Sequence, residues 1–281
     1  MRRLAAAASV AAALATAGCA GAPPPRPAPP ASATAYTALY VFGDSFSDIG
    51  FGYLDGNGPT AVAYLAQGMG LTLTHTKAEN WQGKSLDFAF SGGTTGAGGA
   101  RTDRLGFGMI GQAQEFAALV ASGQIAFDPE RTLFFVAGGL NDRRLTTEQT
   151  QANLFQVVSI LKAAGGRHFR LADLPETIPT FAEVGARLNP MLEALPAQLS
   201  KRLDIDVRPS RWGRYFDETK RDAAMLGFTD TTNACAGRAL LNQDPTPCAT
   251  PEAHFYYHSD HPSTAVHRRV GARLLQELNG G

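Results

Sequence analysis

The chain has 281 residues, 44% of them hydrophobic and 18% charged, and its formal net charge at pH 7 is zero. Such a composition excludes a disordered or collagen-like chain. The balanced charge excludes a surface built to attract nucleic acid or an anionic membrane.

The N-terminus reads as a targeting segment. Arg2 and Arg3 precede an apolar run from Leu4 to Ala15, and small residues follow up to Cys19. A basic start, a short apolar stretch and a small-residue cleavage zone make residues 1–18 a signal peptide. The run is too short to span a bilayer as a helix. Ala15-Thr16-Ala17 fits ordinary signal cleavage, whereas Ala17-Gly18-Cys19 is similar to a bacterial lipoprotein box. Thr16 stands where that box usually has an aliphatic residue. A lipid anchor at Cys19 is one expectation, and the location is the bacterial cell envelope (outer-membrane lipoprotein or periplasm) or the medium. Residues 19–35 are rich in Pro and Ala and form an extended tether, leaving residues 36–281 as one folded domain. Cys235 and Cys248 flank a short loop, and an exported domain favours their pairing.

In the folded part, Ala38–Phe42 predicts a buried strand ended by Gly43. Thr60–Gln67 and Ile110–Ser122 predict helices, with a short strand at Leu86–Phe90 between them. Thr132–Ala137 is the clearest buried strand. Thr147–Ala164 predicts a helix stopped by Gly165-Gly166, and Phe169–Ala172 a strand. Phe181–Arg202 predicts a helix carrying Pro190 and Pro196, Leu203–Val207 a strand, and Val266–Leu278 a closing helix. Strands alternating with helices imply a parallel sheet covered on both faces.

Three strands end in polar, Gly-rich turns: Gly43-Asp44-Ser45, Ser91-Gly92-Gly93 and Gly139-Leu140-Asn141. In a parallel sheet such turns share the edge where ligands collect. Ser45 offers a hydroxyl nucleophile. The N–H groups of Ser45 and Gly92 and the Asn141 amide offer donors for an oxyanion. His261, just before Pro262 and a helix, can return over this edge as a general base. Tyr256 and Tyr257 read as packing residues and His267 as a surface residue of the helix. His254, His258 and His261 have spacings compatible with metal ligands. No acidic partner on a helix and no cysteine cluster joins them, so no metal or organic cofactor is expected.

These segments resemble the GDSL esterases/lipases of the SGNH hydrolase superfamily. Gly43-Asp44-Ser45 with Ser47-Asp48 and Gly50 is similar to the block carrying the nucleophile, and Phe88-Ala89-Phe90-Ser91-Gly92 to the block whose Gly serves the oxyanion. Gly139-Leu140-Asn141-Asp142 resembles the block with the oxyanion Asn, and His261-Pro262-Ser263 the block with the base. Leu171–Pro175 and Gly227–Cys235 also look like family segments. The resemblance spans residues 38–275. It implies a three-layer α/β/α sandwich with a central, mainly parallel five-stranded sheet. It further implies hydrolysis of small-molecule, lipid or glycan esters without a cofactor, and a monomer is expected. Acyl transfer to an acceptor other than water, removal of acetyl groups from polysaccharide, and non-catalytic ligand binding in the envelope are the alternatives on the same site. No long apolar lid separates the blocks, which favours short or soluble esters.

One departure stands out. The family usually has Asp three residues before its catalytic His; here that place holds His258. The triad carboxylate fixes the imidazole tautomer and stabilises the imidazolium. Three readings follow: Ser45 and His261 act as a dyad helped by His258, a backbone carbonyl or an anion; a carboxylate such as Asp260 or Glu252 fills the gap; or activity is feeble. If His258 occupies the acid position, His258→Asp retains or raises activity.

Overall fold

β1 (Ala38–Gly43) is buried from Leu39 onward and lies in the middle of the sheet. This is a computed structural model, and it describes residues 36–99 and 107–280. The signal peptide, Cys19 and the tether lie outside the described residues. β1 pairs in parallel with β3 (Ser85–Asp87) on one side and β4 (Thr132–Ala137) on the other. Beyond β4 come β5 (His168–Ala172) and β6 (Asp206–Ser210); beyond β3 comes β2 (Leu73–Thr74). All six strands are parallel. Five were expected. The sixth, β2, is a two-residue edge strand too short to leave a periodic signal.

The helices form two groups. α1 (Ala61–Gly68) packs on α6 (Thr264–Leu278), which also packs on α5 (Trp212–Arg221). α2 (Met109–Ala121), α3 (Thr147–Ala163) and α4 (Pro179–Leu203) form the other stack. Right-handed crossovers from a central β1 toward both sheet edges require one group on each face, giving the expected α/β/α layers.

The expected strand at Leu203–Val207 begins later. α4 runs on to Leu203, and Asp204 closes it in the left-handed conformation with φ 54°. α4 also carries Pro190 and Pro196 within one helix; Pro190 is exposed, where a lost N–H bond is replaced by water. α5 was not anticipated. A small second sheet holds β7 (Asp230–Ala234), β8 (His254–His258) and β9 (His261–Pro262), with β8 and β9 antiparallel. Cys235 and Cys248 form the expected disulfide, closing the loop between β7 and β8. No helix among the described residues is long and apolar enough to cross a membrane.

The core is rich in aromatic rings. Phe42 stacks on Phe88 with centroids 5.3 Å apart, and Phe116 packs edge-on against both at 5.8 Å. Fully buried rings of this size stabilise by roughly 2–3 kcal/mol each. They fix the central strands whose ends carry the polar turns.

Candidate active site

The turn after β1 is built by its neighbours. Gly43 allows β1 and β4 to approach closely, because a Cβ there would collide with the Ala137 carbonyl oxygen. The Gln112 side chain clamps the same residue: Gly43 N–H donates to its Oε1 at 2.9 Å and its Nε2 donates to Gly43 O at 2.8 Å. Asp48 ties this turn to the next. Its carboxylate accepts from the N–H groups of Gly50, Tyr53 and Ser91 at 2.8 to 2.9 Å. The Ser45 and Gly92 segments are therefore held by one side chain.

Ser45 is nearly buried, and its Oγ lies 2.7 Å from His261 Nε2. Neither the Ser45 N–H nor the Gly92 N–H has an acceptor among the described residues. Gly92 has φ +84°, which a side chain would strain, so glycine is needed to turn this N–H. Asn141 donates one amide hydrogen to Gly93 O at 3.0 Å and also lines the cleft beside Ser45. Its other hydrogen is not used there. Asp142 locks the turn beneath it, accepting from Thr95 N–H at 3.0 Å and the Thr150 hydroxyl at 2.8 Å. Asp44, wholly buried, has its carboxyl pushed up to about 7 by desolvation.

His258 is not against Nδ1 of His261. Its own Nδ1 donates to Asp55 Oδ1 at 2.7 Å, and the ring stacks near Tyr53. Pairing of β8 with β9 sets His258 beside His261 in the ladder and sends its side chain toward the loop after β1. Asp260 and Glu252 do not fill the gap either. Asp260 sits in a left-handed turn with φ 66° and accepts from the Ser259 hydroxyl, and Glu252 pairs with Arg268.

Sequence reading missed the carboxylate that does arrive. Asp55 Oδ2 lies 3.3 Å from His261 Nε2. It comes from Asp55-Gly56-Asn57-Gly58, a Gly-rich stretch no spacing rule marks. Arg238, also missed, donates from Nε to both Asp55 oxygens at 2.8 and 3.0 Å, and its Nη2 lies 2.6 Å from His261 Nδ1. The Ser259 carbonyl accepts from Arg238 and lies 3.3 Å from the same Nδ1. Burial raises the Asp55 carboxyl, but the His258 hydrogen bond, His261 and Arg238 outweigh it and leave it below its ordinary value. Burial, joined by Arg238, lowers His261 to about 4 against the opposing pull of Asp55 and the Ser259 carbonyl.

The three histidines do not converge on a metal position. His261 meets Ser45, His258 meets Asp55, and His254 lies near the disulfide, its Nδ1 3.0 Å from Thr250 O. His267, expected on the surface, is buried; its Nδ1 accepts from Ala61 N–H at 3.1 Å, joining α6 to α1. A cleft of about 320 Å³ opens over Ser45, walled by Asn141, Phe181, Arg238, Leu240 and His261. A smaller cavity of about 80 Å³ adjoins it past Gly92, lined by Tyr53, Phe90 and Phe107.

A doubly covered parallel sheet with a hydroxyl, an imidazole and, among the described residues, unpaired N–H donors at its C-terminal edge has the parts that acyl transfer from an ester needs. The chain belongs to the GDSL-like lipase/acylhydrolase family, whose model matches residues 39–274. It is a carboxylic ester hydrolase by that membership. No curated protein matches the sequence. Solved structures of similar shape include the M. smegmatis aryl esterase, at 13% identity over 86% of this chain and 98% of that one, TM-score 0.46. Est24, a carbohydrate acetylesterase from Sinorhizobium meliloti, has 12% identity over 86% and 98%, TM-score 0.46. A lipolytic G-D-S-L family member from Veillonella parvula has 14% identity over 85% and 96%, TM-score 0.48. The family assignment rests on the family match and not on these.

Proposed function

We propose that the protein is an exported serine esterase in which Ser45 is the nucleophile and His261 the base. The observation that carries this reading is the 2.7 Å contact between Ser45 Oγ and His261 Nε2 at the strand edge. Ser45 Oγ attacks the ester carbonyl carbon while its proton passes to Nε2. The N–H groups of Ser45 and Gly92 and the Asn141 amide receive the oxyanion; losing one such donor costs ~10²–10³-fold in rate. On collapse the imidazolium returns the proton to the leaving alkoxide. Water, deprotonated by His261, then attacks the acyl-enzyme and releases the acid and free Ser45.

His261 needs an Nδ1–H tautomer to act as base, and the Ser259 carbonyl is the acceptor in place for that hydrogen. Asp55 supplies the negative charge that stabilises the imidazolium, from the Nε2 side. His258 acts one step back, orienting Asp55. The basic, apolar and small-residue order of residues 1–18 supports export, and Cys19 supports lipid attachment. The open cleft suits short or soluble esters, and the enzyme works as a monomer.

Purified protein is expected to hydrolyse a p-nitrophenyl ester and to be labelled by a fluorophosphonate. Ser45→Ala should abolish both. Equal rates for the two proteins would overturn the nucleophile assignment.

A further inference from the structure

The Nδ1 edge of His261 carries a conflict. A guanidinium has only donors and keeps its protons at any relevant pH. Arg238 Nη2, 2.6 Å from Nδ1, therefore needs a lone pair on that nitrogen. An Nδ1 lone pair puts the ring proton on Nε2. In that form Nε2–H points at Ser45 Oγ, 2.7 Å away, with Asp55 Oδ2 as a second acceptor at 3.3 Å. Both ring nitrogens of His261, the Arg238 Nε and Nη2 groups and the Asp55 carboxylate then have partners of the right kind. In the other form, Nδ1–H and the guanidinium would face each other as two donors, both seeking the Ser259 carbonyl. The first form is the better satisfied, yet its Nε2 has no lone pair for the Ser45 proton.

We propose that Arg238 is a positioning residue that holds His261 at rest in the Nε2–H tautomer, and that the base is armed when the outer edge of this guanidinium swings off Nδ1. The movement needed is small. Nε anchors Arg238 on Asp55, so a turn about that anchor carries Nη2 away while the ion pair persists. The Ser259 carbonyl is then free for Nδ1–H, and Nε2 accepts from Ser45. Arg238 lies in the loop closed by the Cys235–Cys248 disulfide, and Leu240 from that loop lines the same cleft. A substrate settling against Leu240 thus presses on the segment that carries the restraint. No proton is gained or lost in the switch; Nε2 releases one to solvent and Nδ1 takes one from solvent.

This inference rests on His261 being the base, and the test keeps the two apart. Long-range ¹H–¹⁵N spectra of the folded protein near neutral pH distinguish the two tautomers, with His261→Ala supplying the assignment. Wild type should show Nε2 protonated and Nδ1 bare. Arg238→Met should show the reverse and, having lost the restraint, raise kcat/KM for p-nitrophenyl acetate about tenfold, since activity scales with the competent fraction. Arg238→Lys keeps the charge without the fork and should fall between. A wild-type His261 already protonated at Nδ1 overturns the proposal even if neither variant folds. So does a tautomer unchanged in both variants, or a kcat/KM that falls in both while thermal unfolding shows them folded. Activity surviving Ser45→Ala would instead remove the esterase reading on which the proposal stands.

Discussion

At Asp55, Arg238, His258 and His261, two ion-pairing groups and two rings share one small volume, and the charges on two of them set the chemistry of a third. Asp55 favours the imidazolium of His261; Arg238 and burial oppose it. The opposition wins, with His261 lowered to about 4 from 6.5. A lowered imidazole stays a base to lower pH, so the acid limb of kcat/KM should fall through about pH 4 and not near 6.5. Asp55, Arg238, Asp260 and His267 are the titratable and charged groups that bear on it. A pH–rate profile checks this. Asp55→Asn removes the larger of the two favourable charges, Asp55 and Asp260, and should lower kcat about 10²-fold and move that limb further down. His258→Asp, expected to retain or raise activity if His258 held the acid position, should instead lower it, because His258 pairs with Asp55. Its new carboxylate would face Asp55, 2.7 Å from where His258 now donates. Ser45, Gly92, Asn141 and His261 were legible because their blocks are short and local. Asp55 and Arg238 were not, since only tertiary folding brings a Gly-rich loop and a disulfide loop to one ring.

At the scale of elements, β1 and β4 were readable from apolar runs closed by glycine, whereas the strand expected at Leu86–Phe90 is only Ser85–Asp87, and residues 88–90 lie beyond it. β1 and β4 fall where the runs do. Elements without such a run escaped. α5, Trp212–Arg221, is half charged, with Trp212, Tyr215 and Phe216 as its buried face. β7 is half exposed and pairs irregularly with β8. The loop those two strands bound depends on its staple. A bridge with a sequence separation of 13 contributes ~3 kcal/mol to stability by chain-entropy arguments, worth roughly 10 °C in Tm for a domain of this size. Cys235→Ser with Cys248→Ser should lose about that much in a thermal scan. It should also loosen Arg238 and thereby change kcat/KM, where a bridge that served stability alone would leave the rate untouched.

Over the whole molecule, buried titratable groups pull stability in opposite directions with pH. His261 and His267 are lowered to about 4 and about 3, chiefly by burial. Their contribution is complete above pH 6.5 and is lost as pH falls toward those values, because the unfolded chain binds the protons first. Asp44 and Asp173 are raised to about 7, chiefly by burial. Theirs is complete below the ordinary carboxylate range and is lost as pH rises through about 7. Between about pH 4 and 6.5 the two pairs oppose each other, but Asp87, raised well above the ordinary carboxylate range by burial, joins the carboxyls, so Tm should fall as pH rises across that window. His267→Gln, which keeps an acceptor for the Ala61 N–H, should steepen that dependence by removing one of the opposing imidazoles.

Ser45 and His261 are separated by 216 positions. A ribosome delivers the first well before the second, and α6, which follows His261 and packs on α1, must also be in place. Nascent or truncated chains thus hold a serine that is chemically silent. With His261 as the proposed base, ester cleavage waits on folding of the segment from His261 through α6, and a fragment that stops short of it has nothing to activate Ser45.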